Sequence, residues 1–272
     1  MPNVTSVAII FPGQGSHEHG MDEGLRDDPL FVRGLDVLGF DPFARLDEGT
    51  RFQQPALFLC SVVAWERSGL ASPLAAAGHS LGEYAALVAA GALDFEAALA
   101  LVALRGDAMA RAGEERPGSM VAVLGEDDAA VRAAAHEHGL TIANDNAPGQ
   151  LVLSGPVAGV EAVDASDLRT RRLDVSGAFH SPLMAPAAEE LARALEDVEV
   201  HAPRFPVISN GTAAPFGDVR AELVENLLSP VRWRETVLAL RRMGAEDFVE
   251  LGPGRVLSGL VKRILRASEV AA

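Results

Sequence analysis

The residues most ready for chemistry stand at 78–82, Gly-His-Ser-Leu-Gly, a G-x-S-x-G pattern between a weakly strand-like stretch (73–77) and a helical one (83–90). Glycines flanking such a turn let the backbone reverse sharply and lift the Ser80 hydroxyl clear of a sheet. The helix that follows turns unpaired N–H groups and the positive end of its dipole toward that hydroxyl. The N–H of Leu81 is then placed to donate to the oxyanion of a tetrahedral intermediate. The same pentapeptide also suits a plain glycine-rich turn with a solvated serine.

A serine needs a base to act as a nucleophile near neutral pH, and the chain offers seven histidines. His79 neighbours Ser80, so its side chain is expected to point away. His136 and His138 end a charged helical stretch, where solvation is the ordinary state. His17 and His19 follow the first turn and could line a cleft mouth; His201 carries no signal. His180, in GAFHSPLM at 177–184, follows a strand at a change of pattern, where clefts form. Pattern alone leaves it open between a base and an ordinary junction histidine. No histidine spacing suggests a metal. Arg105 lies mid-helix among apolar residues (LVALRGDAM, 101–109) and needs an anionic partner there, either a ligand or an internal Asp or Glu. The turn PGQGS at 12–16 also follows a strand. It is not G-x-G-x-x-G and lacks the spaced acidic residue, so it argues only weakly for dinucleotide binding.

The elements that must carry these residues alternate between strand and helix. Strands are expected at 4–11, 73–77, 206–209 and 247–251, and helices at 53–68, 83–90, 94–112, 185–197, 219–229, 233–243 and 255–266. Pro55 is expected near the start of its helix. Between them, 116–179 reads β (119–125), α (127–138), β (140–143), β (151–154), α (156–165), β (171–175). That βαββαβ order is the ferredoxin-like unit, here inserted into an α/β body. The chain is 272 residues, 49% hydrophobic and 22% charged, enough for a real core. A net charge of −15 argues against nucleic-acid binding. No apolar run reaches the ~18–20 residues of a membrane span, and the first residues lack the basic start of a secretory signal. The single cysteine, Cys60, excludes an intrachain disulfide and is expected as a buried apolar residue in a cytoplasmic protein.

Eight segments together resemble the malonyl-CoA:acyl carrier protein transacylase family, including the discrete acyltransferases of fatty acid and polyketide biosynthesis. They are FPGQGS (11–16), QPAL (54–57), GHSLGEYAAL (78–87), LRG (104–106), NDNAPGQLVLSG (144–155), FHSPLM (179–184), SPVRW (229–233) and ELGPGRVLSGL (250–260), in the family's order. The resemblance implies an α/β-hydrolase-like body, 1–115 and 180–272, with the ferredoxin-like subdomain at 116–179. It implies Ser80 as the acylated nucleophile, His180 as the base, and the N–H groups of Gln14 and Leu81 as the oxyanion hole. Arg105 would pair with the free carboxylate of the malonyl group. Gln54, Met109, Asn146 and Gln150 fall at positions that line or support the cleft, and Phe179 would narrow the space beside malonyl C2.

The implied reaction is ping-pong transfer of malonyl from CoA through a seryl ester to the phosphopantetheine thiol of an acyl carrier protein, with no metal or other cofactor. Three departures bear on it. Asn226 stands where many members carry a Gln thought to orient the histidine, so a backbone carbonyl is the expected substitute. The segment between Gly155 and Phe179 is several residues short, and part of the connection around 40–50 is missing. The competing readings are transfer or hydrolysis of another acyl group, aminoacyl or methylmalonyl, on a carrier protein; a non-catalytic carrier-binding module; and a general esterase. Carrier proteins are acidic, so docking on this acidic chain needs a local basic patch, with Arg171, Arg172, Arg232, Arg234, Lys262, Arg263 and Arg266 as candidates.

Overall fold

The computed structural model describes residues 6–270; residues 4 and 5 of the expected first strand lie outside them. Four parallel strands form the first sheet: β1 (Val7–Phe11), β2 (Ala75–Gly78), β7 (Val207–Ile208) and β8 (Asp247–Glu250), in the order β7-β2-β1-β8. Successive side chains of a strand point to opposite faces, and β1 is buried on both. Ile9 and Phe11 enter a core with α2 (Thr50–Ser68), α3 (Gly82–Ala89), α4 (Phe95–Glu115) and α7 (Ala185–Glu196). Ala8 and Ile10 enter another, built from α9 (Trp233–Arg242) and α10 (Val256–Val270). Helices on both faces make this an α/β fold with a parallel sheet.

The second sheet is antiparallel, in the order β4-β5-β3-β6, from β3 (Gly118–Leu124), β4 (Thr141–Ala147), β5 (Gln150–Pro156) and β6 (Thr170–Arg172). With α5 (Asp128–Glu137) and α6 (Val157–Asp164) the chain order here is βαββαβ. Val121 and Val123 of β3 pack under those helices, while Met120 and Ala122 face the core of the body. The second sheet therefore buries both faces, one of them against the first sheet's helices. Backbone bonds between Asp145 N–H and Val231 C=O, and between Val231 N–H and Ala143 C=O, stitch β4 to the segment before α9.

The structure departs from the sequence expectation at four places. No element was expected before residue 53 apart from β1, yet α1 (Pro29–Leu38) and a 3₁₀ segment (Pro42–Glu48) fill the connection. Helix α2 begins at Thr50, so Pro55 lies inside it rather than near its start. Strand β6 pairs only through Arg172; Leu173 still donates to the Met120 carbonyl, but no ladder continues to 175. Helix α8 (Val219–Asn226) stops before 229, its end reserved for contacts described below. No described helix is long and apolar enough to cross a membrane.

Candidate active site

Strand β2 ends in Gly78, and Ser80 follows with φ +51, in the left-handed region that a side chain seldom adopts. Two close approaches force this turn. A Cβ on Gly78 would run into the backbone of Gly82, and a Cβ on Gly82 into the Phe11 carbonyl. Leu81 and α3 come directly after, so the hydroxyl of Ser80 stands over a helix N-terminus at the carboxyl ends of β1 and β2. Open α/β sheets bind ligands at this end.

His180, 100 positions away in sequence, is also left-handed (φ +56) and brings Nε2 to 2.8 Å from Ser80 Oγ. Its Nδ1 lies 2.9 Å from the Asn226 carbonyl and 3.1 Å from that of Ser229. Carbonyls only accept, so the ring proton belongs on Nδ1, and Nε2 keeps its lone pair for the serine hydroxyl. Burial, followed by the charge of Arg105, pushes the imidazole pKa down to about 3, so the ring is neutral at ordinary pH. No carboxylate bonds His180 among the described residues; the two carbonyls take an acid's orienting place.

Arg105 is 4% exposed. It donates from Nη1 to Gln54 Oε1 at 2.5 Å and from Nη2 to Ser80 Oγ at 3.0 Å, and lies 5.8 Å from the centre of the Tyr84 ring. Gln54 is held in turn, donating to Thr50 Oγ1 at 2.7 Å and to Met109 Sδ at 3.2 Å. Among the described residues Arg105 has no ion pair, so the internal salt bridge is absent. Burial pulls its pKa below the ordinary arginine value. An uncompensated guanidinium beside a serine is a receptor for an anion.

A cavity of about 480 Å³ opens over this group, bordered by Gln14, Ser80, Leu81, Arg105, Met109, Phe179 and His180. The Gln14 side chain is tied back, donating to Gln53 at 2.8 Å and accepting from Thr50 at 2.9 Å. Neither the Gln14 nor the Leu81 backbone N–H meets a carbonyl among the described residues. Both are thus available to an oxyanion above Ser80.

Other expected residues stand farther back. Gln54 supports Arg105 from behind. Asn146 does not border the cavity: its Oδ1 lies 2.9 Å from His79 Nε2, and it is Asn144 that lines the space. The His79 ring rests near Trp233 and borders the cavity, with its pKa lowered by burial. Gln150 is a correction. It sits at the first position of β5 and accepts from Arg263 Nη1 at 3.1 Å, outside the cavity lining, because its hairpin position turns it toward α10. Asn226 meets His180 only through its backbone carbonyl. Its side chain donates to Glu83 and Ser209 and accepts from Gly211 N–H.

Two residues escaped the sequence reading, Glu83 and Asn210. Asn210 Oδ1 accepts the Ser80 N–H at 2.6 Å, and Asn210 Nδ2 donates to the Gly78 carbonyl at 2.6 Å. The GHSLGE string contains Glu83, but its role depends on a partner 127 positions away. Of the basic candidates, Arg171 and Arg172 border the cavity. Arg232 is committed to Glu235, and Arg234 to Asp128 and Asp145.

A family model described as an acyl transferase domain matches residues 8–272. The malonyl CoA-acyl carrier protein transacylase of Bacillus subtilis is 40% identical over 293 residues, covering 97% of this chain and 92% of that protein. The polyketide biosynthesis protein ThaF of Burkholderia thailandensis is also 40% identical over 293 residues; the match covers 96% of this chain, which spans only 24% of that longer protein. A solved complex of a malonyl-transacylase with a type II polyketide synthase acyl-carrier protein matches at TM-score 0.90 and 39% identity, over 96% of this chain and 94% of that one. With a half-buried serine on a tight turn bonded to a neutral histidine, and this likeness over nearly its whole length, the chain belongs to the acyl transferase domain family.

Proposed function

We propose that this protein is an acyltransferase that moves a malonyl group from CoA to the phosphopantetheine thiol of an acyl carrier protein. The observation that carries the reading is the buried Arg105 guanidinium, without a carboxylate partner among the described residues and 3.0 Å from Ser80 Oγ. A malonyl thioester ends in a free carboxylate two bonds from its reacting carbonyl carbon. Bound at the planar fork of Arg105, that carboxylate sets the thioester carbonyl over Ser80. The Nη2 hydrogen bond to Ser80 then passes to the substrate, while Gln54 keeps Nη1 in place.

In the first half-reaction Ser80 Oγ attacks the thioester carbonyl as His180 Nε2 takes its proton. The N–H groups of Gln14 and Leu81 hold the oxyanion. The intermediate collapses, the C–S bond breaks, and the CoA sulfur leaves with the proton from His180. Malonyl-Ser80 remains. The carrier's thiol gives its proton to His180 and attacks the ester, and the same oxyanion hole serves again. The Ser80 oxygen leaves, reprotonated by His180. Phe179, 5% exposed at the cavity wall, limits the room beside malonyl C2.

Residues 1–115 and 180–272 form an α/β-hydrolase-like body, and 116–179 a ferredoxin-like insert; the antiparallel order β4-β5-β3-β6 supports this division. A cytoplasmic location is in keeping with one buried free thiol, Cys60.

Intact-mass spectrometry after mixing with malonyl-CoA tests it. The expected result is one malonyl adduct on the wild type that a holo carrier protein removes, and none on Ser80→Ala. An adduct that persists in the variant rejects the assignment of Ser80. Steady release of free malonate without carrier points to a hydrolase.

A further inference from the structure

Beneath the turn that carries Ser80 lies a buried carboxyl that the reaction as written does not use. Glu83, on the first turn of α3, is 2% exposed. Its Oε1 accepts the Asn210 N–H at 2.7 Å and the Asn226 Nδ2 at 2.9 Å; Oε2 accepts from Asn226 at 3.2 Å. Each donor leads to one member of the Ser80–His180 pair. Asn210 accepts the Ser80 N–H through its own side chain and so holds the left-handed serine. Asn226 offers the carbonyl that accepts His180 Nδ1–H.

We infer that Glu83 is a positioning residue that fixes the distance between nucleophile and base by clamping Asn210 and Asn226 to the same carboxyl oxygen. The alternative, a carboxyl that merely fills space, leaves its shared oxygen and its two routes to the pair unexplained. A backbone strained at both Ser80 and His180 persists only where surrounding bonds over-determine it, and this clamp supplies bonds to both. The charges that act on the carboxyl are the Arg105 guanidinium on α4 and Glu222 on α8, and Tyr84 follows it in sequence. Burial pushes the Glu83 pKa up to about 8, while the Asn210 and Asn226 donors and the Arg105 charge act to lower it. An amide of the same shape keeps an Oε1 that can accept both bonds, so Gln is its nearest substitute.

The inference rests on the acyltransferase reading for its consequences, so the test includes a probe independent of the acyl donor. A fluorophosphonate reports Ser80 reactivity whether or not malonyl is the natural group. Misplacing reacting groups by about 1 Å costs ~10²-fold. Glu83→Ala, assayed well below its own thermal midpoint, is expected to slow phosphonylation and malonyl-transfer kcat by about 10–100-fold. The KM for malonyl-CoA should stay within about threefold, because Arg105 is untouched. Glu83→Gln should restore kcat to within about threefold of wild type. If Glu83→Ala does not fold, Asn226→Ala cuts the same link at its other end and is read by the same kcat-against-KM split. Wild-type phosphonylation in the alanine variant overturns the inference, as does a loss that falls on KM instead of kcat. A wild-type protein that reacts with the fluorophosphonate but ignores malonyl-CoA rejects the substrate reading and leaves the clamp to be judged by phosphonylation alone.

Discussion

In the proposed reaction, Arg105 is the residue that would distinguish this site from that of a general esterase. A guanidinium with 4% exposure and no ion pair among the described residues is costly unless a ligand supplies the charge. Malonyl-CoA supplies it and acetyl-CoA does not. Removing one partner of such a buried pair costs about 3–5 kcal/mol, or about 10²–10⁴-fold in relative rate. Arg105→Ala is expected to lower kcat/KM for malonyl-CoA by that factor and to leave acetyl-CoA unchanged or improved. Competition between the two thioesters measures the ratio directly, and a variant that keeps its malonyl preference removes Arg105 as selector. The same buried charge acts on His180. As the proposed base, His180 works only when neutral. An ordinary histidine, with a pKa near 6.5, would lose activity as pH falls through that value. Burial and Arg105 hold the imidazole neutral down to about pH 3. The expected malonyl-transfer profile is therefore flat within about twofold from pH 7.5 to 5.5 while the protein stays folded. A tenfold loss over that interval, centred near 6.5, would show a solvated histidine instead.

At the level of elements, local chemistry marks some parts of this fold and long-range contacts determine others. The turn at 78–82 is visible because both glycines answer a local steric demand, the approach of Gly82 to the Phe11 carbonyl and of Gly78 to Gly82. Strand β2 is faint because it reads Ala-Ala-Ala-Gly, residues with weak strand preference. Its small side chains let α3 close over the sheet, and only the packing reveals it. Helix α1 is marked by local chemistry: Asp28 caps Leu30 N–H, Pro29 opens the helix, and Gly39 closes it at φ +70. Gln150 went the other way. Its motif suggested the cleft, but strand register decides where a side chain points, and the first position of β5 turns it to Arg263. Glu83 and Asn210, and the bond from Asn226 to Glu83, were beyond reach for a different reason. Their bonds join residues 127 and 143 positions apart, and no local pattern encodes such a meeting.

The molecule as a whole carries 38 acidic and 23 basic side chains, a net charge of −15 that repels an acidic carrier protein at long range. Screening limits that repulsion: at about 0.15 M salt the Debye length is about 8 Å, so contact depends on charges at the cavity mouth. Of the arginines there, Arg172 lies 3.7 Å from Glu161 and 3.9 Å from Asp164, partly neutralised. Arg171 is exposed, borders the cavity, and has no ion pair among the described residues. It stands on β6, the edge of the second sheet, so a partner can approach it without disturbing the core. Arg171→Glu is expected to raise the KM for holo carrier protein by about 3–10-fold near 0.15 M salt, an exposed pair being worth about 1 kcal/mol and a reversed charge somewhat more. The kcat should change little, because Ser80, His180 and Arg105 are untouched. At 0.5 M salt the two proteins should converge as the local charges are screened. If the carrier KM of the variant matches wild type at both ionic strengths, the carrier enters by another face of the cavity mouth, and the exposed cations of α10, Lys262 and Arg266, are the next to reverse.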